Sequence, residues 1–365
     1  MYDVAVVGGG PAGAAAARAA AQLGASTVLL ERAVLPRYKR CGGGLVGVSA
    51  ATAGIDLAPL ARDAAGRVLV TCGFGLRWSR AAPGPLLTMV ARSELDAALV
   101  EAAAAAGARV RERCVVTGAE QDRHAVTLRV RGGDPVRARY VVAADGVSSR
   151  LAAAAGVRLR QVDLGLEGEF RAPRGWAGRL WLDWGPVPGS YAWLFPKGDT
   201  VTVGVIGDRR QPAGLRAYYA AVVGWLGLAA PLLEGGHHTR VRAAGSPLVD
   251  GRVLLAGDAA GWLEPWSREG ISFALRSGRL AGEAAAQQDP AAYPRRAQAA
   301  LQPEVAAGGQ LLRAFTAHPR SFHAALASPP GWREFRRLLG GVTSLASLSG
   351  RAPVRAALRV LGAAG

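Results

Sequence analysis

Gly8, Gly10 and Gly13 stand as G-x-G-x-x-G directly after the apolar run DVAVV, and an alanine-rich stretch follows. Glycines so spaced allow a tight turn in which a pyrophosphate approaches the backbone around Ala12. The amides and dipole of the following helix start complement its charge. Glu31, at the end of the next apolar run, STVLL, is placed to bond a ribose diol, with Arg32 beside it. Two more carboxylates end apolar runs: Asp145 in RYVVAADGVSSR, and Asp258, preceded by Gly257, in GRVLLAGDAAGWLEPWSREGISFA. In PGSYAWLFPKG, Tyr191, Trp193 and Phe195 share a parity and project from one face of a strand. That face reads equally as a binding wall or as core, and its prolines suit a strand at an edge or rim. Trp176, Trp181 and Trp184 either extend the wall or pack in the core. Cys41, in YKRCGGGLV, carries a thiol beside glycines that permit close approach of a ligand; it also reads as a small buried hydrophobe. His237 and His238 are adjacent, face opposite ways on a strand, and have no carboxylate or cysteine cluster nearby, so no metal site is expected. No G-x-S-x-G elbow supports a nucleophilic serine.

The elements that must position these residues are strand, glycine turn, helix and strand in succession. This context identifies a dinucleotide fingerprint rather than a chance glycine pattern. The fold class expected is α/β (α+β): a Rossmann-type domain, a discontinuous antiparallel-sheet domain and a helical C-terminal region. The first domain takes residues 1–50, 88–160 and 245–300. The second takes 51–87 and 161–244, with β-type runs such as DTVTVGVIG, and the helices take 301–365.

The formal net charge is +17, and Lys39 and Lys197 are the only lysines, so arginine supplies nearly all of the excess. Such a field attracts nucleic acid, anionic head groups or a phosphorylated substrate. The basic residues are scattered and carry no zinc-finger or RNA-binding signature, so nucleic acid is not an expected partner. Cys41, Cys72 and Cys114 make an odd count without paired spacing, which argues for a reducing compartment. With no secretory signal and no long apolar run, a cytoplasmic protein is expected, any membrane contact being peripheral at the inner face. GWREFRRLLGGV and APVRAALRVLG combine arginines with apolar residues. They suit either an anionic membrane surface or packing on the protein.

The trio of glycine fingerprint, Asp145-Gly146 and Gly257-Asp258 resembles the flavoproteins of the para-hydroxybenzoate hydroxylase fold, which implies FAD. The resemblance puts Asp258 on the ribityl hydroxyls and the backbone at Glu269, Gly270 and Ile271 along the flavin. The helix beginning ARSELD resembles the R-x-x-L-D element, with Arg92 near the cofactor; an ion pair of Arg92 with Glu94 or Asp96 is the alternative. Pro188, Tyr191, Trp193, Phe195 and Pro196 match P-x-x-Y-x-W-x-F-P, and Lys39, Cys41 and Gly42–Gly44 match K-x-C-G-G-G. Together these motifs resemble the geranylgeranyl reductase family over roughly residues 1–285.

That resemblance implies reduction of C=C bonds in a prenyl chain on a lipid, diphosphate or quinone, by flavin hydride transfer. Tyr191, Trp193, Phe195, Pro196 and Trp266 would hold the chain, and Cys41 and Gly42 would lie at the cofactor. Cys41 is the expected proton donor, with Tyr191, a weak acid, as second choice. The electron donor would be external: NADPH, ferredoxin or a quinol. Many members carry P-x-T-G-E-G-I where this chain has Pro265-Trp266-Ser267-Arg268-Glu269-Gly270-Ile271. Arg268 is thus expected to set a positive charge beside the flavin or on a substrate phosphate, or to point to solvent. The alternative function is a flavin-dependent monooxygenase or halogenase, although the W-x-W-x-I-P segment typical of halogenases is absent.

Overall fold

A computed structural model describes residues 1–352, 354 and 355. The apolar runs of the sequence become the strands Tyr2–Val7, Thr27–Leu30, Val136–Ala143 and Val253–Leu255. Tyr2–Val7 lies between Thr27–Leu30 and Val136–Ala143, with Val253–Leu255 beyond the latter and Arg109–Arg111 beyond the former, all parallel. Helices cover this sheet, so its central strands are apolar throughout rather than alternating.

The alanine-rich helix Pro11–Gln22 packs against the helix Ile271–Ala286. A Cβ at Gly278 would stand 2.0 Å from the Ala12 carbonyl oxygen, and one at Gly282 would stand 2.2 Å from that of Ala16. The small residues let the two backbones touch, which fixes the glycine turn at one end of the sheet.

The second sheet has seven strands in the order Leu233–Arg242, Leu159–Arg171, Thr200–Asp208, Tyr191–Lys197, Arg179–Trp184, Arg67–Cys72 and Leu76–Ala81. It is antiparallel except where Arg179–Trp184 meets Arg67–Cys72 in parallel. The aromatic strand Tyr191–Lys197 is interior, not at a rim. Pro196 is tolerated because pairing with Arg179–Trp184 ends at Leu194, leaving no ladder bond for its missing N–H on that side. Gly44–Leu45, Ala61–Ala65 and Leu87–Val90 form a small third sheet. It bridges segments that the sequence assigns to different domains. The long helix Ala292–Ala317 likewise runs across the boundary expected at residue 300.

The C-terminal helices fold back onto the second sheet. Trp184, Trp266, Phe315 and Phe322 form a cluster with ring centroids 5.2–6.5 Å apart. The helix Pro329–Leu339 buries Phe335 and Leu339 beside that cluster. The apolar face of GWREFRRLLGGV is therefore spent on the protein. Its arginines Arg333 and Arg337, together with Arg351, gather round Glu334. Most of APVRAALRVLG lies outside the described residues. Among the described residues no helix is long and apolar enough to cross a membrane.

Candidate active site

A cleft of about 250 Å³ opens at the glycine turn, lined by Gly8, Gly10, Ala12, Glu31, Arg32, Cys41, Arg92, Asp145, Asp258, Gly270 and Ile271. Gly8 has φ +102°, and a Cβ on Gly13 would lie 1.7 Å from the Gly8 carbonyl oxygen, so only glycines close this turn. Gly257, at φ +57°, similarly meets Ala12. The helix that follows starts at Gly10 with no side-chain cap, leaving its first amides facing the cleft. The Asp145 carboxylate is raised by burial, and its Oδ1 has no hydrogen-bond partner among the described residues. Bare helix amides and an orphaned buried carboxylate oxygen suit the diphosphate and hydroxyls of a dinucleotide.

Glu31 is oriented by the Gly9 N–H, which donates to it at 2.6 Å, by the Ala33 N–H at 3.0 Å and by Arg37 at 3.4 Å. Arg37 also reaches Asp96 at 3.0 Å, and Arg92 grips Asp96 with two bonds of 2.9 and 3.1 Å. Arg92 thus meets both expectations, ion pair and cleft, while Glu94 pairs with Arg62. Burial works against the Arg92 charge, but Asp96 and the sulfur of Cys41 outweigh it and raise its pKa. Arg37 was missed in the sequence because its link to Asp96 spans 59 positions.

A chamber of about 120 Å³ adjoins the cleft and shares part of its lining. Tyr191, Trp193 and Phe195 form one wall, their rings 5.9 and 6.4 Å apart in succession. They do share a face, as their parity requires. Pro196 lies on the other face with Ala192 and Leu194, away from this wall. Gly42 belongs to the chamber rather than the cleft; a Cβ there would sit 2.8 Å from the Phe195 ring. The Tyr191 hydroxyl donates to the Ser267 carbonyl, and burial raises its pKa further, so its proton is committed.

His237 lines both cleft and chamber, and His238 lines the cleft. Burial, then Lys39 and Arg40, push His237 down to about 4, which keeps it neutral. A larger cavity of about 450 Å³ adjoins the chamber and shares Val46, Tyr191, Ser267 and Glu269 with it. Its wall is largely apolar and includes Trp184, Trp266, Phe273, Phe335 and Leu339. Of the three tryptophans considered, Trp184 extends the wall. Trp181 is fully buried on the opposite side, stacked on Trp225 at 5.1 Å, and Trp176 packs on the same opposite core.

Arg268 neither points to solvent nor carries a free charge. It is buried, bonds Asp163 at 3.1 Å, and lies over the Tyr191 ring at 5.6 Å. Its remaining donors reach the carbonyls of Trp266 and Gly189 at 2.6 and 3.1 Å.

Residues 1–166 match the family described as FAD binding domain. The chain is 33% identical over 316 residues to digeranylgeranylglycerophospholipid reductase 1 of Methanopyrus kandleri, covering 78% of this chain and 80% of the relative. It is 31% identical over 311 residues to the menaquinone reductase of Mycobacterium tuberculosis H37Rv, covering 77% and 76%. Among solved structures it is similar to a geranylgeranyl bacteriochlorophyll reductase-like protein of Thermoplasma acidophilum, at 21% identity, TM-score 0.82 and 99% coverage of both chains. A flavin-dependent brominase shares the fold at 20% identity, TM-score 0.78 and full coverage of both chains. With an FAD binding domain matched over residues 1–166 and relatives of this identity and coverage, the chain belongs to the geranylgeranyl reductase family of FAD-dependent oxidoreductases.

Proposed function

We propose that the protein reduces isolated C=C bonds in a geranylgeranyl-type prenyl chain carried on a lipid, a diphosphate or a quinone. The observation that carries this reading is that cleft, aromatic chamber and apolar cavity adjoin one another in series. Cys41, His237, Arg268, Gly270 and Ile271 line both cleft and chamber, and Val46, Tyr191, Ser267 and Glu269 line both chamber and cavity. A prenyl chain offers no hydrogen-bonding groups, so a long apolar cavity is what recognises it. Each CH₂ buried there contributes about 0.8 kcal/mol. Aromatic walls add broad contact with few rotatable bonds to freeze.

In this reading the residues of the glycine turn, from Gly8 to Gly13, hold the FAD diphosphate together with Arg92. Glu31 and Arg32 hold the ribose end. Asp145 and Asp258 take the remaining hydroxyls, and Gly270 and Ile271 border the ring. Bound FAD, reduced by an external donor, supplies a hydride. The chain's own part is to hold the double bond against Tyr191, Trp193 and Phe195 and to exclude water from the chamber.

The test is anaerobic. The purified holoprotein is reduced with dithionite, mixed with geranylgeranyl-bearing lipids or menaquinone, and the product masses are read. A gain of about two mass units per double bond with flavin reoxidation supports the reading. Unchanged masses, with reoxidation only on admitting air, would move the function to the oxygen-using enzymes of the same fold.

A further inference from the structure

The strand Leu159–Arg171 carries three carboxylates of one parity, Asp163, Glu167 and Glu169, on the face where Trp193, Phe195 and His237 stand. The outer two are partnered. Asp163 pairs with Arg268, while Glu169 pairs with Lys197 at 3.2 Å and accepts the Thr202 hydroxyl at 3.0 Å. Glu167, between them, is only 2% exposed, and neither of its carboxyl oxygens has a hydrogen-bond partner among the described residues. Its neighbours on the two flanking strands are Gly204 and Gly235, which offer no side chain. The space over Gly204 is filled by the apolar ring of Trp193, and that over Gly235 by the Arg40 guanidinium, whose hydrogen bond goes to the Glu234 carbonyl rather than to Glu167. Glu167 lines the chamber together with Cys41, Trp193 and Phe195.

An ionised carboxylate left unpaired in such a place costs several kcal/mol, and a carboxyl group avoids that cost by keeping its proton. Burial raises Glu167 to about 7; Lys197, Lys39 and Arg40 pull against the rise and Glu169 adds to it. Tyr38 and His237 nearby are uncharged, with pKa values moved to about 12 and about 4, and burial raises the Tyr219 hydroxyl as well. The chamber therefore holds a carboxyl group that keeps its proton up to about pH 7, between the Trp193 ring on one side and the Arg40 guanidinium on the other.

We propose that Glu167 is the proton donor of the double-bond reduction, an assignment that rests on the prenyl-reductase reading above. One alkene carbon receives the hydride that reduced cofactor supplies. The π pair of the alkene forms the second C–H bond with the Glu167 carboxyl proton. Substrate gains two hydrogens, the cofactor is oxidised by two electrons, and Glu167 is left as a carboxylate that regains a proton from solvent. This differs from the sequence expectation. Tyr191 has its proton engaged by Ser267; the Cys41 sulfur accepts from the Gly43 N–H at 3.4 Å, a contact that leaves its own proton free, and Glu167 is preferred over it for its burial without a partner.

The test compares wild type with Glu167→Gln and Glu167→Asp as holoproteins. Glu167→Gln should retain FAD and bind geranylgeranyl lipid within about twofold of wild type. Its anaerobic single-turnover reoxidation should slow at least about 100-fold. The wild-type rate should fall about tenfold per pH unit above about pH 7, the glutamine variant should lose that dependence, and aspartate should restore part of the rate. Independently of turnover, infrared difference spectra of the oxidised holoprotein between about pH 6 and about pH 8 should show a protonated carboxyl band lost in Glu167→Gln. A glutamine variant with wild-type rate and pH profile would overturn the assignment alone, as would a Glu167 carboxylate already ionised at pH 6. A wild-type protein that reduces no prenyl chain would overturn the functional reading, and the assignment with it.

Discussion

Arg268 and Asp163 bind one another at 3.1 Å with each side chain only 4% exposed, and Arg268 lines both cleft and chamber. Arg268 holds this position with φ at +57°, the left-handed region that a glycine would occupy freely. The family pattern has glycine there. In this chain the strain of the arginine is offset by an ion pair, two carbonyl bonds and the Tyr191 ring.

Replacing Arg268 with glycine should relieve about 1–2 kcal/mol of backbone strain. It also leaves the buried Asp163 with only the Gln161 amide at 2.6 Å, and removing one partner of a buried pair costs about 3–5 kcal/mol. The expected net loss is about 1–4 kcal/mol, read by urea denaturation of the FAD-loaded protein. Adding Asp163→Asn should recover most of it. An equal loss in the double variant would show that the two residues act separately.

Gly13→Ala tests the cofactor cleft. Its Cβ would collide with the Gly8 carbonyl oxygen and force the turn open. The protein should purify without flavin, as read from the ratio of flavin to protein absorbance, with the second sheet still folded by circular dichroism. Flavin retained at the wild-type ratio would show that the turn tolerates a side chain.

The FAD fingerprint was legible because its parts are contiguous: strand, glycines, helix and acid follow one another within 31 residues. The aromatic face of Tyr191, Trp193 and Phe195 was legible from parity alone. Its place inside the sheet was not, because Thr200–Asp208 and Arg179–Trp184 flank it only through tertiary pairing. Glu167 was illegible for a related reason. In LRQVDLGLEGEFR three acids alternate with Leu164, Leu166 and Gly168, which reads as a solvated strand face. Only the fold sets Lys197 and Arg268 against the outer acids and glycines against the middle one. Sequence places Gly42 near the cofactor segment without saying that the ring it faces is Phe195.

Trp193 is wedged between Gly42 and Gly204; a Cβ on Gly204 would lie 2.4 Å from its ring. Trp193→Ala should cost about 3–5 kcal/mol of stability. It should also weaken geranylgeranyl-lipid binding about 10- to 100-fold, or about 1.4 kcal/mol per tenfold, while FAD content stays unchanged. Flavin fluorescence titrated with lipid vesicles reads both. Lost flavin with unchanged lipid affinity would make the strand core rather than wall.

The last prediction concerns stability against pH and needs no substrate. Glu167 has a folded pKa of about 7 against 4.5 for an ordinary glutamate. Between those values the folded state holds a proton that the unfolded chain has released, so stability falls as pH rises through this window and levels off above about 7. Full ionisation costs on the order of 3 kcal/mol, at about 1.36 kcal/mol for each tenfold change in acidity between the folded and unfolded states. Glu167→Gln carries no such contribution. Its stability relative to wild type should therefore rise by about 2–3 kcal/mol between about pH 5 and about pH 8. Urea midpoints of the two proteins, measured side by side across that range, give the difference directly and cancel the other buried acids, which titrate in both. A constant difference would mean that Glu167 ionises as an ordinary surface acid does, against its burial and its missing partners.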